Sequence, residues 1–261
     1  MSTQIAPSPV VVRLAALNRF LTEDFLGGPK FLKLAWVINF QKGGTLVFIA
    51  ILMTVFHNAS PAAWTILALQ GTYGLCWLLK DTLFPDTTWQ KRITFGGAVM
   101  TFALVLGMYW VIPFLVISPI LGADRPQPSL ALLALCVGIH TLGVAIMLAS
   151  DAQKHFTLRI QRGLITDGMF RFVRHPNYLG EMMLYSAYAL IVQSWIPWVI
   201  LGAIWLQVFT VNMFVIEASL SRYPGWAAYH ARTGFLLPKL WHSNAPTAGK
   251  TSATPSIRRT H

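Results

Sequence analysis

Charged residues are scarce in this chain. Asp, Glu, Lys and Arg make up only 11% of its 261 residues, whereas a soluble domain carries about 25%. Hydrophobic side chains account for 55% of the chain. The composition therefore excludes an ordinary soluble domain and indicates a protein that crosses a membrane several times.

Cysteine and the common nucleotide-binding motifs are also rare or missing. The two cysteines, Cys76 and Cys136, have the spacing of neither a disulfide framework nor a zinc site, and no bound metal is expected. The sequence contains neither a Gly-x-Gly-x-x-Gly turn nor a phosphate-binding loop. Any cofactor must therefore be held by the membrane helices and the loops between them.

Six apolar windows are long enough to cross about 30 Å of hydrocarbon. The first window contains Lys42, and we expect its helix to begin just after this residue. The predicted fold is an all-α, multi-pass transmembrane bundle of about six spans. The windows cover residues 36–57, 61–79, 93–121, 129–150, 178–195 and 197–216.

The distribution of basic residues predicts the orientation of the bundle, because Lys and Arg are enriched in cytoplasmic loops. With a cytoplasmic N-terminus, the inner segments are 1–42, 80–92, 151–177 and 217–261, and they hold nineteen of the twenty Lys and Arg residues. The exception is Arg125. Both termini are therefore predicted to be cytoplasmic. The net charge of +11 follows from membrane orientation, so a nucleic-acid partner is not expected.

The chain divides into four predicted segments. Residues 1–42 form an N-terminal amphipathic segment, with an interfacial helix over 10–26. Residues 43–150 form the N-terminal transmembrane half, and 151–241 comprise a basic loop, the last two spans and a C-terminal segment. Residues 242–261 are rich in Pro, Ser and Thr and are predicted to be a disordered tail.

A polar stripe is predicted along the fifth span. Tyr178, Glu181, Tyr185 and Tyr188 are spaced i, i+3, i+7 and i+10, which places them on one helical face. Ionisable groups within spans usually face a bundle interior or a wet cavity. Glu217, at the inner end of the sixth span, is a second such group. Further polar residues in spans have the alternative explanation of hydrogen bonds between helices; they are Gln70, Tyr73, Tyr109, His140, Gln207 and Asn212.

The start of that span, "RFVRHPNYLGE", is unusually polar. Arg174, His175 and Asn177 are expected just outside the helix, where free N–H groups and the helix dipole favour an anion. Gly180 allows a close approach to the backbone. The pattern predicts an entrance for a cofactor bearing phosphate or carboxylate, and a basic interfacial collar is the alternative.

Three stretches together carry a family resemblance. "SDAQKHFTLR", "GLITDGMFRFVRHPNYLGE" and "RYPGWAAYHARTGFLLP" begin at Ser150, Gly163 and Arg222. They resemble the C-terminal cofactor-binding region of the membrane sterol reductases and steroid 5-alpha-reductases. The resemblance covers roughly residues 145–241, about a third of the chain.

The Arg-His-Pro-x-Tyr-x-Gly core within this region has a second interpretation. Isoprenylcysteine carboxyl methyltransferases and phospholipid N-methyltransferases share it and use S-adenosylmethionine. The reductases are favoured by the segment Asp151-x-Gln-Lys154, by Glu181 directly after the glycine, and by Tyr223 before a proline. Steroid reductases usually lack the Arg-His-Pro triplet, which only the sterol branch carries, so this sequence mixes branches.

The resemblance implies NADPH as the cofactor and assigns roles to individual residues. Glu181 matches the acceptor for the nicotinamide carboxamide. Asp151, Asn177 and Tyr223 match positions that hold the nucleotide, and Lys154, Arg159 and Arg174 match or neighbour phosphate contacts. The full set of implied cofactor-binding residues is Asp151, Lys154, Arg159, Arg174, His175, Asn177, Tyr178, Glu181 and Tyr223.

The implied reaction is hydride transfer from NADPH to a carbon–carbon double bond of a hydrophobic substrate such as a steroid, a sterol or an isoprenoid. The substrate would arrive from the bilayer, and a protein acid would complete the addition. Tyr73 and Tyr185 are the candidate catalytic acids. The alternatives are an S-adenosylmethionine-dependent membrane methyltransferase and a non-catalytic lipid-binding protein.

Overall fold

The fold was analysed in a computed structural model, which describes residues 6–121 and 127–239. Arg125 and the predicted disordered tail 242–261 lie outside the described residues. The helices are α1 (Pro9–Arg19), α2 (Leu34–Val55), α3 (Pro61–Leu83), α4 (Phe95–Thr101), α5 (Met108–Ile117), α6 (Leu130–Ile160), α7 (Pro176–Val192), α8 (Ile196–Ile204), α9 (Val211–Leu220) and α10 (Trp226–Arg232). π-Helical turns follow α1, α4 and α8 at Phe20–Asp24, Phe102–Leu106 and Trp205–Thr210, and short 3₁₀ turns lie at Pro119–Leu121 and Gly168–Phe170.

The predicted all-α membrane bundle is confirmed. Among the described residues, α2, α3, α6 and the continuous α8–α9 helix are long and apolar enough to cross a membrane. The pair α4 and α5, bent by 43°, makes a fifth span if the two helices cross together. The predicted span 178–195 corresponds to α7, which has 17 residues and a length of about 25 Å at 1.5 Å per residue. α7 is thus shorter than the other spans of the predicted six.

A two-residue antiparallel ladder joins the segments that precede α2 and α4. Strands β1 (Leu32–Lys33) and β2 (Arg92–Ile93) pair Leu32 with Ile93. The ladder fixes the entrances of two membrane helices side by side, which the all-α prediction did not include.

Polar contacts bring the helix ends of one face together. Asn39 near the start of α2 donates from Nδ2 to Oδ2 of Asp81 at the end of α3, at 2.7 Å. Lys80, also near the end of α3, lies 2.5 Å from Asp151 of α6. This face carries the segments predicted to be cytoplasmic. That it faces the cytoplasm stays a prediction.

α6 and α7 approach each other through glycine. A Cβ atom built at Gly180 would lie 2.5 Å from the carbonyl oxygen of Gly143, and one built at Gly143 would lie 2.6 Å from the carbonyl of Gly180. The close approach anticipated at Gly180 is therefore made by α6. Because no side chain separates the helices, the residues that follow Gly180 are held firmly against the bundle interior.

Three sequence boundaries differ from the structure. α2 begins at Leu34, so the expectation that it begins after Lys42 was wrong, and the predicted segment boundary at residue 42 falls inside α2. Lys42 and Lys80 are buried in the bundle, although both were counted among the basic residues of the inner loops. α6 continues to Ile160, so Asp151 lies on a helix and not in the predicted loop.

The amphipathic prediction for residues 10–26 corresponds to α1 and its π-helical turn. The Asn18 side chain donates from Nδ2 to the Gln207 carbonyl at 2.7 Å, and Gln207 Nε2 donates to Asn18 Oδ1 at 2.8 Å. α1 therefore packs along the α8–α9 helix through a specific amide pair. Gln207 thus makes the hydrogen bond that was the alternative explanation for polar residues in spans.

Candidate functional site

A cavity of about 570 Å³ opens at the face where the ends of α3 and α6 meet. Its size lies within the range of about 300–1,000 Å³ that small-molecule sites occupy. Four of the residues implied by the family resemblance contribute to the wall. The lining residues used below are Lys80, Asp86, Asp151, Lys154, Arg159, Arg162, Arg222 and Tyr223.

Two ion pairs neutralise part of this wall. Lys80 pairs with Asp151 at 2.5 Å, and Lys154 pairs with Asp86 at 3.2 Å. Burial raises the pKa of the Asp86 carboxyl, but the Lys154 ammonium and hydrogen bonds from Thr88 outweigh it, so that pKa lies below its ordinary value. Asp86 is therefore a carboxylate at neutral pH and holds Lys154 in place.

Three guanidinium groups at the wall remain without an acid. Within residues 6–121 and 127–239, no ion pair involves Arg159, Arg162 or Arg222. The Arg222 guanidinium lies 5.1 Å from the ring centroid of Tyr223 and donates to its hydroxyl at 3.3 Å. Arg162 and Arg222 were missed by the sequence analysis, because the spacing of loop arginines does not show which of them line a cavity.

A second polar site lies deeper in the bundle, around Lys42. Its Nζ donates a hydrogen bond to the Tyr185 hydroxyl at 2.6 Å. The same atom lies 4.6, 5.5, 5.0 and 5.2 Å from the ring centroids of Tyr73, Trp77, Tyr109 and Tyr185. We call these four rings the aromatic cage. An ammonium within about 6 Å of aromatic faces is attracted by their quadrupoles.

The cage packs tightly around Tyr185. Its ring stacks on Tyr109 with centroids 4.1 Å apart and planes at 10°, and meets the edge of Tyr73 at 5.9 Å. Both predicted catalytic tyrosines, Tyr73 and Tyr185, therefore lie in contact with each other and with Lys42. Lys42 was not predicted as a site residue, because it lies at the end of the predicted inner segment 1–42 and was counted among the basic residues of that segment.

The cavity and the cage adjoin each other through Trp77. The Lys80 ammonium, which lines the cavity, lies 4.4 Å from the Trp77 ring centroid, and Lys42 lies 5.5 Å from it on the cage side. Glu181 is half-buried, one turn before Tyr185 on α7. The charges of Lys42 and Lys80, one from the cage and one from the cavity wall, both act on Glu181.

The polar stripe continues beyond the cage. Tyr188 is buried, and its hydroxyl lies 3.0 Å from Nε2 of His140 on α6. At the other end, Tyr178 packs its ring edge-on against Phe209 at 5.2 Å. Tyr178 and Tyr188 therefore make contacts between helices, and they lie on α7 on either side of Glu181 and Tyr185.

The Arg-His-Pro triplet has a different environment. Arg174 forms a buried ion pair with Glu217 at the end of α9 and donates to the Thr233 carbonyl at 2.6 Å. His175 Nε2 lies 3.3 Å from Glu217, and its ring lies 4.8 Å from that of Phe235. We call these five residues the C-terminal clamp.

Backbone hydrogen bonds reinforce the clamp. The Arg174 amide donates to the Gly234 carbonyl at 3.0 Å, and the His175 amide to the Phe235 carbonyl at 3.2 Å. Burial lowers the pKa of His175, and burial together with the Arg174 charge lowers that of His230, which lies 3.6 Å from Glu217. The clamp ties the start of α7 to the end of α9 and to the segment after α10.

Arg174 and His175 precede α7, as expected, but the expectation that this helix start is open to an external anion was wrong. Both are buried, and the chain itself supplies the anion for Arg174. Asn177 lies inside the first turn of α7, which begins at Pro176, and not before it. In the part of the chain that the structure describes, none of these side chains lines the cavity.

No cluster of three or more His, Cys, Asp or Glu side chains within 6–121 and 127–239 is placed to hold a metal ion. Cys76 and Cys136 are both free thiols.

Comparison with known proteins gives a family match over most of the chain. The family described as "Protein of unknown function (DUF1295)" matches residues 24–233. It is an uncharacterised family within the steroid 5-alpha-reductase-like superfamily. The resemblance found in the sequence is thus confirmed at the level of the superfamily.

Two curated relatives are both described as uncharacterized proteins of Schizosaccharomyces pombe. One is 34% identical over 87 residues, which are 32% of this chain and 29% of the relative. The other is 28% identical over 95 residues, which are 33% of this chain and 27% of the relative. The chain thus spans less than a third of the length of these relatives. No solved structure matches the chain significantly.

Proposed function

This chain belongs to the DUF1295 family, and we propose that it is an integral-membrane, NADPH-dependent reductase of a carbon–carbon double bond in a hydrophobic substrate. The observation that carries the proposal is the hydrogen bond from Lys42 to Tyr185 inside the aromatic cage, beside a basic cavity. Reduction of a double bond needs a proton as well as a hydride, and the Tyr185 hydroxyl beside Lys42 supports the proposal as the source of that proton.

The cavity wall fits a nucleotide with several phosphates. Arg159, Arg162 and Arg222 have no acidic partner among the described residues, and guanidinium groups bind phosphate in a bidentate manner. The Tyr223 ring offers an aromatic face at the same wall. When bound, NADPH would supply the hydride. Glu181, on which the charges of both Lys42 and Lys80 act, is suited to accept a hydrogen bond from an amide at the inner end of the cofactor.

The charge at the cage favours one kind of double bond. Lys42 is a buried cation, and Tyr73, Tyr109 and Tyr185 are neutral phenols around it. Such a site stabilises negative charge that develops on a substrate oxygen and disfavours a carbocation. We therefore expect an electron-poor double bond, conjugated to a carbonyl group, whose oxygen faces Tyr185.

One observation also supports the methyltransferase alternative. Lys42 could form an ion pair with a substrate carboxylate, as carboxyl methylation with S-adenosylmethionine would require. A cationic amine substrate would instead be repelled by Lys42 and Lys80, so the phospholipid N-methyltransferase form of this alternative is disfavoured. Methyl transfer to a carboxylate, however, gives no role to a proton donor.

The test compares both cofactors on the purified protein in detergent. Binding of NADPH and of S-adenosylmethionine is measured by calorimetry. The protein is then incubated with a lipid extract and either NADPH deuterated at the transferable position or S-adenosylmethionine carrying a CD₃ group. We expect NADPH to bind and deuterium to appear in a lipid. A CD₃-labelled lipid without deuteride transfer would establish the methyltransferase, and binding of neither cofactor would reject both enzymes.

A further inference from the structure

Lys42 differs from the other buried cations of the bundle. Lys80 and Arg174 are each paired with a carboxylate, Asp151 and Glu217 respectively. Among the described residues no carboxylate forms an ion pair with Lys42, although its side chain is buried. The acid whose charge acts on Lys42 is Glu181, but the two form no ion pair. An ionisable group without an ion-pair partner inside a membrane bundle is costly, and such groups usually serve a function.

The cage holds the Lys42 ammonium in one position. Four rings surround it at centroid distances of 4.6 to 5.5 Å, and the one hydrogen bond that its Nζ makes within the described residues is to the Tyr185 hydroxyl. The stacking of Tyr185 on Tyr109 fixes the acceptor as well. Donor and acceptor are therefore both immobilised before any substrate binds, and such preorganisation is typical of catalytic groups.

We infer that Lys42 is the positioning residue of the proton donor, acting through Tyr185. This inference rests on the proposed reductase function and adds to it a residue that the sequence analysis did not include. The Tyr185 O–H bond breaks and its proton passes to the substrate, while the N–H of Lys42 stabilises the phenolate oxygen that remains. A solvent proton restores the phenol after the product leaves.

The inference can be tested by replacing the Lys42 ammonium with a cation added from solution. Lys42→Ala removes the ammonium and leaves an aromatic cavity that a small cation can enter. We expect deuteride transfer in this variant to fall by about 10²–10⁴-fold, the range of general acid catalysis. Added n-propylammonium should restore the rate by about tenfold or more, since it brings back one charge-assisted hydrogen bond. Tetramethylammonium carries the same charge but no N–H, and it should not restore the rate.

Two outcomes would overturn the inference. Equal rescue by both cations would show that Lys42 acts only through its charge and not as a hydrogen-bond donor. Rescue by neither cation in a folded variant would show that the ammonium does not position the proton donor. NADPH affinity should stay unchanged throughout, because Lys42 does not line the cavity wall. Lys33→Ala is the matched control, since Lys33 also lies near an aromatic ring, that of Trp36 at 6.0 Å, but outside the cage. It should keep the wild-type rate.

A second comparison covers the case in which Lys42→Ala does not fold. Lys42→Arg and Lys42→Gln both fill the cage, and turnover should decrease from Lys to Arg to Gln at constant NADPH affinity. Equal turnover in all three would overturn the inference. If the wild-type protein transfers no deuterium, the proposed reductase fails first. If it transfers deuterium and Lys42 variants are fully active, only the role of Lys42 is rejected.

Discussion

The aromatic cage and the C-terminal clamp each place a cation in the interior of the bundle, but they treat it differently. In the clamp, Arg174 is paired with Glu217 and donates to the Thr233 carbonyl. In the cage, Lys42 has one neutral hydrogen-bond acceptor and four rings. Arg174 is neutralised by a direct ion pair, whereas Lys42 has no ion-pair partner and interacts with the charge of Glu181 only at longer range.

This difference separates a structural site from a functional one. A paired and hydrogen-bonded charge holds chain segments together, and removing one partner leaves the other buried and uncompensated. A buried cation without an ion-pair partner adds little to stability, so its presence indicates a role in binding or chemistry. Substitutions in the two regions should therefore affect different properties of the protein.

The largest effect is expected from Tyr185→Phe in the cage. The change removes the proposed proton donor but keeps the ring stacked on Tyr109. Deuteride transfer should fall by about 10²–10⁴-fold, and the free energy of unfolding should fall by about 1–3 kcal/mol because the Lys42 ammonium loses its hydrogen-bond acceptor. Tyr188→Phe, on the same helix and hydrogen-bonded to His140, is the control and should keep most activity. An equal loss of deuteride transfer in both variants would argue against Tyr185 as the proton donor.

The opposite behaviour is expected from Glu217→Ala in the clamp. It leaves Arg174 buried without a counter-charge, which should lower the free energy of unfolding by about 3–5 kcal/mol. Thermal unfolding in detergent measures the loss. Asp24→Ala breaks an exposed ion pair with Lys30 and should cost only about 0–1 kcal/mol. A Glu217 variant as stable as the Asp24 variant would show that the clamp does not hold the fold.

The fold was largely predictable from the sequence, and the predictions that failed did so for physical reasons. Apolar windows report length and composition, so the long spans were found, although the predicted end of α6 at residue 150 falls ten residues before Ile160. Charge counting assigned Lys42 and Lys80 to the inner loops. A local sequence window cannot show that other helices surround Lys42 with aromatic rings or pair Lys80 with Asp151. The π-helical turns and the bend before α5 left no periodic pattern in the sequence.

The site was predicted less completely, because both regions depend on contacts between distant residues. Arg174 and Glu217 are 43 positions apart, and Lys42 and Tyr185 are 143 apart. Sequence spacing placed Tyr185 and Glu181 correctly on one face of α7. It did not show that Glu217 would form an ion pair with Arg174. Arg174 was therefore predicted to contact a phosphate of the cofactor.

The boundary between cavity and clamp can be sharpened with arginine variants. Arg159→Gln and Arg222→Gln each remove a guanidinium from the cavity wall, and each should weaken NADPH binding by about 1.5–3 kcal/mol. Arg171→Gln is the control, because Arg171 is exposed on the same face but does not line the cavity. Calorimetric affinities that are equal in all three variants would argue against the cavity as the cofactor site.

A smaller effect is expected at Glu181, the acid on which the charges of Lys42 and Lys80 act. Glu181→Gln keeps the shape, removes a charge and replaces an acceptor with a donor. NADPH affinity should fall by about 1–3 kcal/mol, while thermal stability should be equal or higher because a half-buried charge is gone. Both are measured on one preparation. Unchanged NADPH binding with lost S-adenosylmethionine binding would support the methyltransferase instead.

The smallest expected effect is a pH dependence confined to the clamp. Burial lowers the pKa of His175 in the folded protein, and that of His230 is lowered in the same direction. Below about pH 6.5 the unfolded chain therefore binds more protons at these histidines than the folded chain, so their contribution to stability declines as the pH falls. Melting temperatures between pH 7.5 and 5.5 should decrease in the wild type and decrease less in His175→Gln. His57→Gln, at an exposed position on the opposite face, should follow the wild-type curve, and a slope unaffected by His175→Gln would assign the pH dependence to groups outside the clamp.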